Sequence, residues 1–394
     1  MKSKILIIDD ERTVIQQVDS LLESFGYQSD FIPKADYMLK KLENATFDLI
    51  LMDINMPGID GLTALKNLKS HTAYHSIPVI MMTADTNEKT LESCFLSGAA
   101  DFITKPIQEL VLKARVKSVI EKQQYTQEIE NQQKKIMDSI FYARTIQEAM
   151  LPSREIISNK FAEHFVMFKP RDIVSGDFYW FKQINNLIYV IAADCTGHGV
   201  PGAFMSMLGI SQLNEIINNT EIKQPNEILN ELRVRIKKLL HQDQQKRKKL
   251  DGMDLALCVI DTATQTLNYS GAYSPLYLYR KNESNNTYEL LETKADKMPI
   301  GVHPNEHKYF TNHEISIQKS DTIYIFSDGY VSQFNNNSVN STKFKTWRLK
   351  ELLANIQEKN MNEQLNILEQ TFESWKGEQA QIDDLLIIGI RINE

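Results

Sequence analysis

Four short apolar runs in the first 120 residues carry a chemically capable side chain at or near their C-terminal ends, and this leaves few folds open. Lys4–Asp10 stops on Asp9 and Asp10, Phe47–Ile54 carries Asp53, Pro78–Ala84 carries Thr83, and Asp101–Lys105 stops on Lys105. Tyr27–Ile32 is a weaker fifth run. Helix-period stretches lie between them; Val14–Phe25 places Val14, Val18, Leu21, Leu22 and Phe25 on one face. Continuous apolar strands alternating with amphipathic helices predict an α/β doubly wound parallel sheet covered on both faces. Right-handed crossovers bring the C-terminal ends of its strands to one edge, so Asp9, Asp10, Asp53, Thr83 and Lys105 converge there. Three crowded carboxylates repel one another unless a cation sits between them, and oxygen-only ligation selects Mg²⁺ or Mn²⁺. A metal beside a carboxylate, with a hydroxyl and an ammonium nearby, can stabilise an incoming phosphoryl group.

Taken in order, Asp9-Asp10, the run Leu-Ile-Leu-Met-Asp53-Ile-Asn-Met-Pro-Gly58, Thr83-Ala84 and Lys105-Pro106 make residues 1–121 resemble a response-regulator receiver domain. The resemblance implies that Asp53 accepts a phosphoryl group from a sensor histidine kinase. It further implies one Mg²⁺ held by Asp10 and Asp53, with help from Asp9 and the backbone carbonyl of Asn55. Thr83 and Lys105 would hold the phosphate, and Phe102 stands where this family places a rotating aromatic switch.

Residues 108–150 contain no glycine or proline and are dense in Gln, Glu and Lys. Ile129, Ile136, Ala143 and Met150 recur at heptad spacing, with Ile140 in the intermediate register and Gln133 and Gln147 interrupting it. The pattern predicts a helical coiled-coil linker over 122–152, pairing two copies of the chain, because an isolated helix gains little stability without burying its apolar stripe.

Beyond it the reading changes to strands at Phe165–Lys169, Phe178–Phe181 and Leu187–Ala193, then helices at Pro201–Asn218 and Asn226–Leu240. Further strands follow at Leu255–Asp261, Thr266–Ser270, Leu276–Arg280, Thr322–Phe326 and Leu385–Ile392. Strand clusters with helices grouped between them predict an α+β layered β-sandwich over 153–394. Lys281–Thr287, Asn335–Thr342 and the basic Gln242–Lys249 read as exposed loops. Asp177, Asp194, Asp254, Asp328, Asp383 and Asp384 each sit at a strand end or in a turn beside one. A single Asp-Gly is only a turn. Several such acids together predict a binuclear site for hard cations that activate water for attack on phosphorus.

Ser175-Gly-Asp177-Phe-Tyr, Ala-Ala-Asp194-Cys-Thr-Gly-His-Gly199, Gly252-Met-Asp254, Phe326-Ser-Asp328-Gly329 and Ile382-Asp383-Asp384-Leu-Leu resemble the SpoIIE-like branch of the protein phosphatase 2C fold. Ile140–Pro152 resembles the segment that commonly precedes that domain. The resemblance implies a phosphoserine/phosphothreonine phosphatase with two Mn²⁺ or Mg²⁺ ions and no phosphoenzyme. Asp194 would bridge the ions, helped by the Cys195 carbonyl and Asp177, while Asp328 and Asp383 hold the second ion, with Asp384 the lesser candidate of that pair. Ser175 departs from the usual Gly-Gly-Asp. Asp254 is either an additional ligand or a turn former. His198 is a candidate acid for the leaving alcohol or a packed structural histidine. Arg171 is a candidate partner for the substrate phosphate or a plain surface arginine. Cys195 reads as a small buried residue, with no basic partner to make it a nucleophile.

A net charge of −7 leaves no basic surplus to displace counterions from nucleic acid, so a DNA-binding output is not expected. No stretch reaches the length of a membrane span, and three widely spaced cysteines form neither a disulfide framework nor a zinc motif. The expectation is a cytoplasmic homodimer in which phosphorylation of Asp53 controls the phosphatase. Its substrate would be a phosphoprotein of the anti-sigma-factor-antagonist kind that the resemblance suggests. The alternative is a partner-binding regulator whose second half no longer hydrolyses phosphate.

Overall fold

The computed structural model describes residues 2–85, 87–153, 157–158, 161, 163–219, 221–242, 251–336 and 341–392. Most of the basic stretch Gln242–Lys249 and the middle of Asn335–Thr342 therefore lie outside the described residues. Two compact units divide the chain, Met1–Ile136 and Met137–Glu394.

In the first unit β1 (Lys4–Ile8), β2 (Gln28–Ile32), β3 (Leu49–Asp53), β4 (Val79–Thr83) and β5 (Asp101–Thr104) form a parallel sheet in the order β2-β1-β3-β4-β5. Every residue of β3 and β4 is buried, as central strands covered on both faces require. Edge strand β2 is only partly buried, which explains its weak apolar signal. Helices α1 (Arg12–Ser24), α2 (Met38–Asn44), α3 (Gly61–Lys69), α4 (Glu88–Leu96) and α5 (Glu109–Met150) supply the cover. Ile15, Val18 and Leu22 of α1 pack with Leu112, Val116 and Ile120 of α5 on one face; Leu42, Ala64, Leu65, Leu68 and Cys94 cover the other. The Asp60 carboxylate starts α3 by accepting the Thr63 N–H at 2.7 Å, an N-cap beside the Gly61 N–H bond to the Ile54 carbonyl that seats the helix start against the end of β3.

The boundary between the units falls inside α5. Ile129 and Ile136 of the expected seam are exposed, Ile140, Ala143 and Met150 are half-buried, and Gln147 is buried. Gln147 is thus no defect in a helix-pairing stripe. It belongs to the interior of the second unit, where its carboxamide finds polar partners.

The second unit stacks two antiparallel sheets. β7 (Phe178–Ile184), β8 (Leu187–Cys195), β9 (Met253–Asp261), β10 (Thr266–Ala272) and β13 (His313–Ser316) form one, in the order β13-β10-β9-β8-β7. The other runs β12-β11-β14-β15-β6, from β6 (His164–Lys169), β11 (Leu276–Asn282), β12 (Thr287–Thr293), β14 (Thr322–Phe326) and β15 (Leu385–Arg391). Val190, Ala192, Ala256 and Cys258 meet Leu278, Ile323, Ile325, Leu386 and Ile388 between them. Helices α6 (Gly199–Asn219) and α7 (Pro225–Leu239) cover the first sheet from outside. A short α8 (Gly329–Ser332) follows β14, and α9 (Thr346–Asn355) and α10 (Met361–Lys376) cover the second sheet.

The layered sandwich matches expectation, but Lys281–Thr287 is not one loop: β11 runs through Asn282 and β12 opens at Thr287. β12 and β13 carried no sequence signal because both are edge strands, alternating or exposed rather than continuously apolar. No helix among the described residues is long and apolar enough to cross a membrane.

Candidate metal centres

At the C-terminal edge of the first sheet, ligand oxygens of Asp9, Asp10 and Asp53 all lie within 4.8 Å of one another. Asp9 and Asp53 are buried and Asp10 is exposed. Lys105 reaches across from the end of β5, its Nζ 2.9 Å from Asp9 Oδ2 and 3.1 Å from Asp53 Oδ1. Burial raises the Asp53 pKa above its ordinary value; the Lys105 ammonium opposes this, and the Asp9 and Asp10 charges reinforce it. Burial would lower the Lys105 pKa, yet its two carboxylate partners outweigh that and raise it. Thr83 is buried, and its hydroxyl is engaged by Asp85, accepting the Asp85 N–H at 2.9 Å. Asn55 lies on the β3–α3 loop two residues beyond Asp53. Phe102 is half-buried, edge-on to Phe95 at 5.9 Å, with the Arg115 guanidinium 5.7 Å from its ring centre. Three carboxylates beside one ammonium leave excess negative charge and an all-oxygen donor set, which fits Mg²⁺.

The second centre is assembled from the ends of both sheets in the second unit. On the first sheet Asp194 pairs directly with Asp254 across β8 and β9. Asp177 immediately precedes the Phe178–Ala193 pair, which places it beside Asp194. From the other sheet come Asp328, just past β14, and Asp383-Asp384, just before β15, brought level by the Ser327 N–H bond to the Leu386 carbonyl at 2.9 Å. Like charges directly opposite in a ladder destabilise it. The pKa values show this: Asp177 and Asp194 are pushed well up, first by burial and then by neighbouring aspartates. Asp254 is raised to about 7 by burial and Asp328, and Asp383 is raised for the same two reasons. Asp177 Oδ2 is buried with no hydrogen-bond partner. Among the described residues only Asp9, Asp10 and Asp53 bring three ligand oxygens within 4.8 Å of one another, so the acids of this second centre stand further apart; their all-oxygen set and the orphaned Asp177 oxygen fit divalent cations of the Mg²⁺ or Mn²⁺ class.

Other sequence candidates take distinct places. Both Asp384 oxygens accept backbone N–H groups at 2.7 Å, from Arg171 and from Gly176. Its carboxylate thus ties two loops together. The Arg171 guanidinium donates to the Ile382 carbonyl at 2.9 Å, beside Asp383. His198 Nδ1 sits 2.8 Å from Asp172 Oδ2, both side chains about half exposed. Cys195 is fully enclosed and its thiol pKa is pushed well up by burial, so the thiol is inert while its backbone stands in the Asp194 turn. Gly176 is required by close approach, since a Cβ there would overlap the Gly197 carbonyl oxygen.

Sequence reading missed three residues here. Asp172 gave no signal beyond a polar loop position. Ser327, whose hydroxyl lies against the Asp177 carboxylate and accepts the Leu386 N–H at 3.0 Å, stood in the Phe326-Ser-Asp328-Gly329 motif with no role of its own. Gln147 looked like a heptad interruption.

Raised carboxylate pKa values have a consequence for stability without metal. Between pH about 4 and 7 the folded protein holds a proton on Asp254 that the unfolded chain has released, so stability falls as pH rises through that window, and the raised Asp194 acts in the same direction. The chelated protein is expected to lose more melting temperature between pH 5 and pH 8 than Asp254→Asn does. Mn²⁺ should raise the wild-type melting temperature more at pH 8 than at pH 5. Calorimetric scans giving equal slopes for the two proteins would show that these acids do not crowd one another.

Comparison with known proteins finds matches for both units. Residues 185–393, just over half of the chain, match the family described as Stage II sporulation protein E (SpoIIE). Residues 5–117 match the response regulator receiver domain. The solved SiaA-PP2C domain of Pseudomonas aeruginosa is similar with a TM-score of 0.58 and 30% identity, over 66% of this chain and 98% of that one. The heme response regulator HssR of Staphylococcus epidermidis is 39% identical over 119 residues, 30% of this chain and 52% of that protein. The phosphate regulon transcriptional regulatory protein PhoB of Escherichia coli is 35% identical over 120 residues, again 30% and 52%. The chain spans about half the length of these curated relatives. The matched region holds eight of the ten strands of the two antiparallel sheets, with Asp194, Asp254, Asp328 and Asp383 at their ends, and the three-carboxylate parallel sheet lies ahead of it; the chain belongs to the SpoIIE family and carries a response regulator receiver domain.

Proposed function

We propose that the chain is a metal-dependent phosphoserine/phosphothreonine protein phosphatase, residues 153–394, governed through a helical linker, 122–152, by phosphorylation of its receiver, 1–121, on Asp53. One observation carries the hydrolytic reading: Asp177, Asp194 and Asp254 end one sheet and Asp328 and Asp383 the other, close enough that neighbouring carboxylates add to burial in raising the pKa values of Asp177, Asp194, Asp254 and Asp383.

In this reading Asp194, Asp177 and the Cys195 carbonyl would hold one Mn²⁺ or Mg²⁺ ion, and Asp194, Asp328 and Asp383 would hold a second. Asp254, opposite Asp194, completes the donor set. When bound, the ions supply the Lewis acidity that activates water for attack on phosphorus. The chain's own residues do the rest. Ser327 and Asp384 hold the Asp177 turn in place. The Asp172 carboxylate fixes the His198 ring through Nδ1, so Nε2 is the ring nitrogen that would serve the departing serine or threonine oxygen. Arg171, steadied by the Ile382 carbonyl, keeps further N–H groups for the substrate phosphate.

In the receiver, Asp53 accepts a phosphoryl group from a sensor histidine kinase, and Asp9, Asp10, Asp53 and the Asn55 carbonyl would hold the Mg²⁺. Thr83 and Lys105 bind the phosphate, and Phe102 responds. Exposed Ile129 and Ile136 support pairing of α5 with a second copy of the chain. The protein substrate belongs to the class of phosphorylated anti-sigma-factor antagonists.

Mn²⁺-dependent hydrolysis of p-nitrophenyl phosphate tests the reaction; no hydrolysis at any metal concentration leaves a partner-binding regulator instead. A small-molecule phosphoryl donor is expected to change the wild-type rate on the order of tenfold, and Asp53→Ala to remove that response while basal hydrolysis persists. Equal wild-type rates with and without the donor would sink control by the receiver.

A further inference from the structure

We infer that Gln147 is a positioning residue: the point at which helix α5 holds the Asp177 turn and thereby sets the metal affinity of the phosphatase centre. The inference rests on the reading of Asp177 as a metal ligand.

Gln147 is 4% exposed on a stretch of α5 whose neighbours Phe141, Tyr142 and Ile146 face solvent. Its Nε2 donates to the Ser175 carbonyl at 2.6 Å, and its Oε1 accepts the Ser175 N–H at 3.0 Å. One side-chain amide therefore satisfies both backbone groups of a single residue, as a neighbouring strand would. The same Nε2 lies 2.8 Å from Ser206 Oγ, and that hydroxyl also reaches the Ser175 carbonyl, at 3.3 Å. Ser206 sits on α6, the helix that opens directly after the Asp194 turn. Three elements of the second unit thus meet at Ser175: the end of α5, the loop before β7, and α6.

Ser175 is two residues from Asp177. The residue between them, Gly176, gives its N–H to Asp384 Oδ2 at 2.7 Å and has the Gly197 carbonyl where a Cβ would be. The turn is therefore gripped at Ser175 by the helix and at Gly176 by Asp384, and the Asp177 carboxylate follows with little freedom. Met150 and Leu151, one turn further along α5, pack against the cluster formed by α6, α7 and the first sheet, which keeps the helix end seated. Hydrogen bonds weaken steeply with distance and misalignment. A small slide or rotation of the last turns of α5 would open both Ser175 bonds and release Asp177.

The deciding measurement is direct Mn²⁺ binding, by calorimetry, on the full chain. Gln147→Met keeps the volume and removes donor and acceptor; Gln147→Glu keeps only the acceptor for the Ser175 N–H; Ser206→Ala removes one partner. Gln147→Met is expected to weaken Mn²⁺ binding by about tenfold or more, with Gln147→Glu and Ser206→Ala between it and wild type. Half-saturating Mn²⁺ for p-nitrophenyl phosphate hydrolysis should rise in parallel, with kcat recovered at saturating metal. Wild-type Mn²⁺ affinity in a folded Gln147→Met, or a kcat loss that saturating Mn²⁺ does not restore, overturns the inference. Should Gln147→Met fail to fold, an unchanged affinity in Ser206→Ala overturns it. Wild-type protein that binds Mn²⁺ but hydrolyses nothing defeats the phosphatase reading alone, because the ratio of affinities still decides the role of Gln147.

Discussion

Asp194→Ala is expected to lower Mn²⁺-dependent hydrolysis of p-nitrophenyl phosphate by about 1000-fold or more while the chain stays folded. The reason is position. Asp194 is the acid with neighbours on every side: Asp254 opposite it in the ladder, Asp177 beside it at the start of β7, and Asp328 and Asp383 from the facing sheet. Removing it takes away the one oxygen pair that both metal positions share in the proposed site. It also relieves charge crowding, so the melting temperature of the chelated protein should rise rather than fall. An opposite pair of effects, near-normal hydrolysis with a lowered melting temperature, would mean that Asp194 is a structural acid and that the centre lies elsewhere.

Gly329→Ala should be the most damaging of the small substitutions. A Cβ at Gly329 would overlap the Asp384 carbonyl oxygen and press on the start of β15. Backbone, unlike a flexible side chain, cannot swing away, so the loops bearing Asp328 and Asp383-Asp384 must separate. A cost of about 2–4 kcal/mol is expected, because overpacking against a well-packed core is relieved only by backbone shifts. Since the same loops carry candidate ligands, Mn²⁺ affinity should fall together with the melting temperature. Both are readable in one set of thermal scans with and without Mn²⁺. A variant that melts like wild type and binds Mn²⁺ equally well would show that the loops yield freely.

Much of the architecture was legible in the residue order. β3 and β4 read as continuous apolar runs because central parallel strands are buried on both faces, and a single substitution class satisfies that demand. Acids at the ends of such strands announce their own convergence, since the topology of a doubly wound sheet leaves them no other edge. The residue order therefore implies the convergence of Asp9, Asp10, Asp53, Thr83 and Lys105, and in the fold Asp9, Asp10, Asp53 and Lys105 do meet. Edge strands β12 and β13 escaped because half of each faces away from the core, which removes the apolar signal but not the ladder.

The second centre shows where residue order stops. Asp177, Asp194, Asp254, Asp328, Asp383 and Asp384 stood out alike as acids at strand ends or in turns, and only resemblance to the SpoIIE-like branch separated their roles. That Asp254 lies directly opposite Asp194, and that Asp384 spends its oxygens on the N–H groups of Arg171 and Gly176, depended on register and loop packing. Asp172 beside His198 and Ser327 against Asp177 likewise came only from chain segments distant in sequence. Gln147 is the sharpest instance: on the helix it is a polar break in a heptad, and in the folded unit it is the buried partner of Ser175. Periodicity records which face of an element avoids water. It carries no record of which buried polar group will satisfy which, because that pairing is set by atoms brought within 3 Å only after the chain has folded.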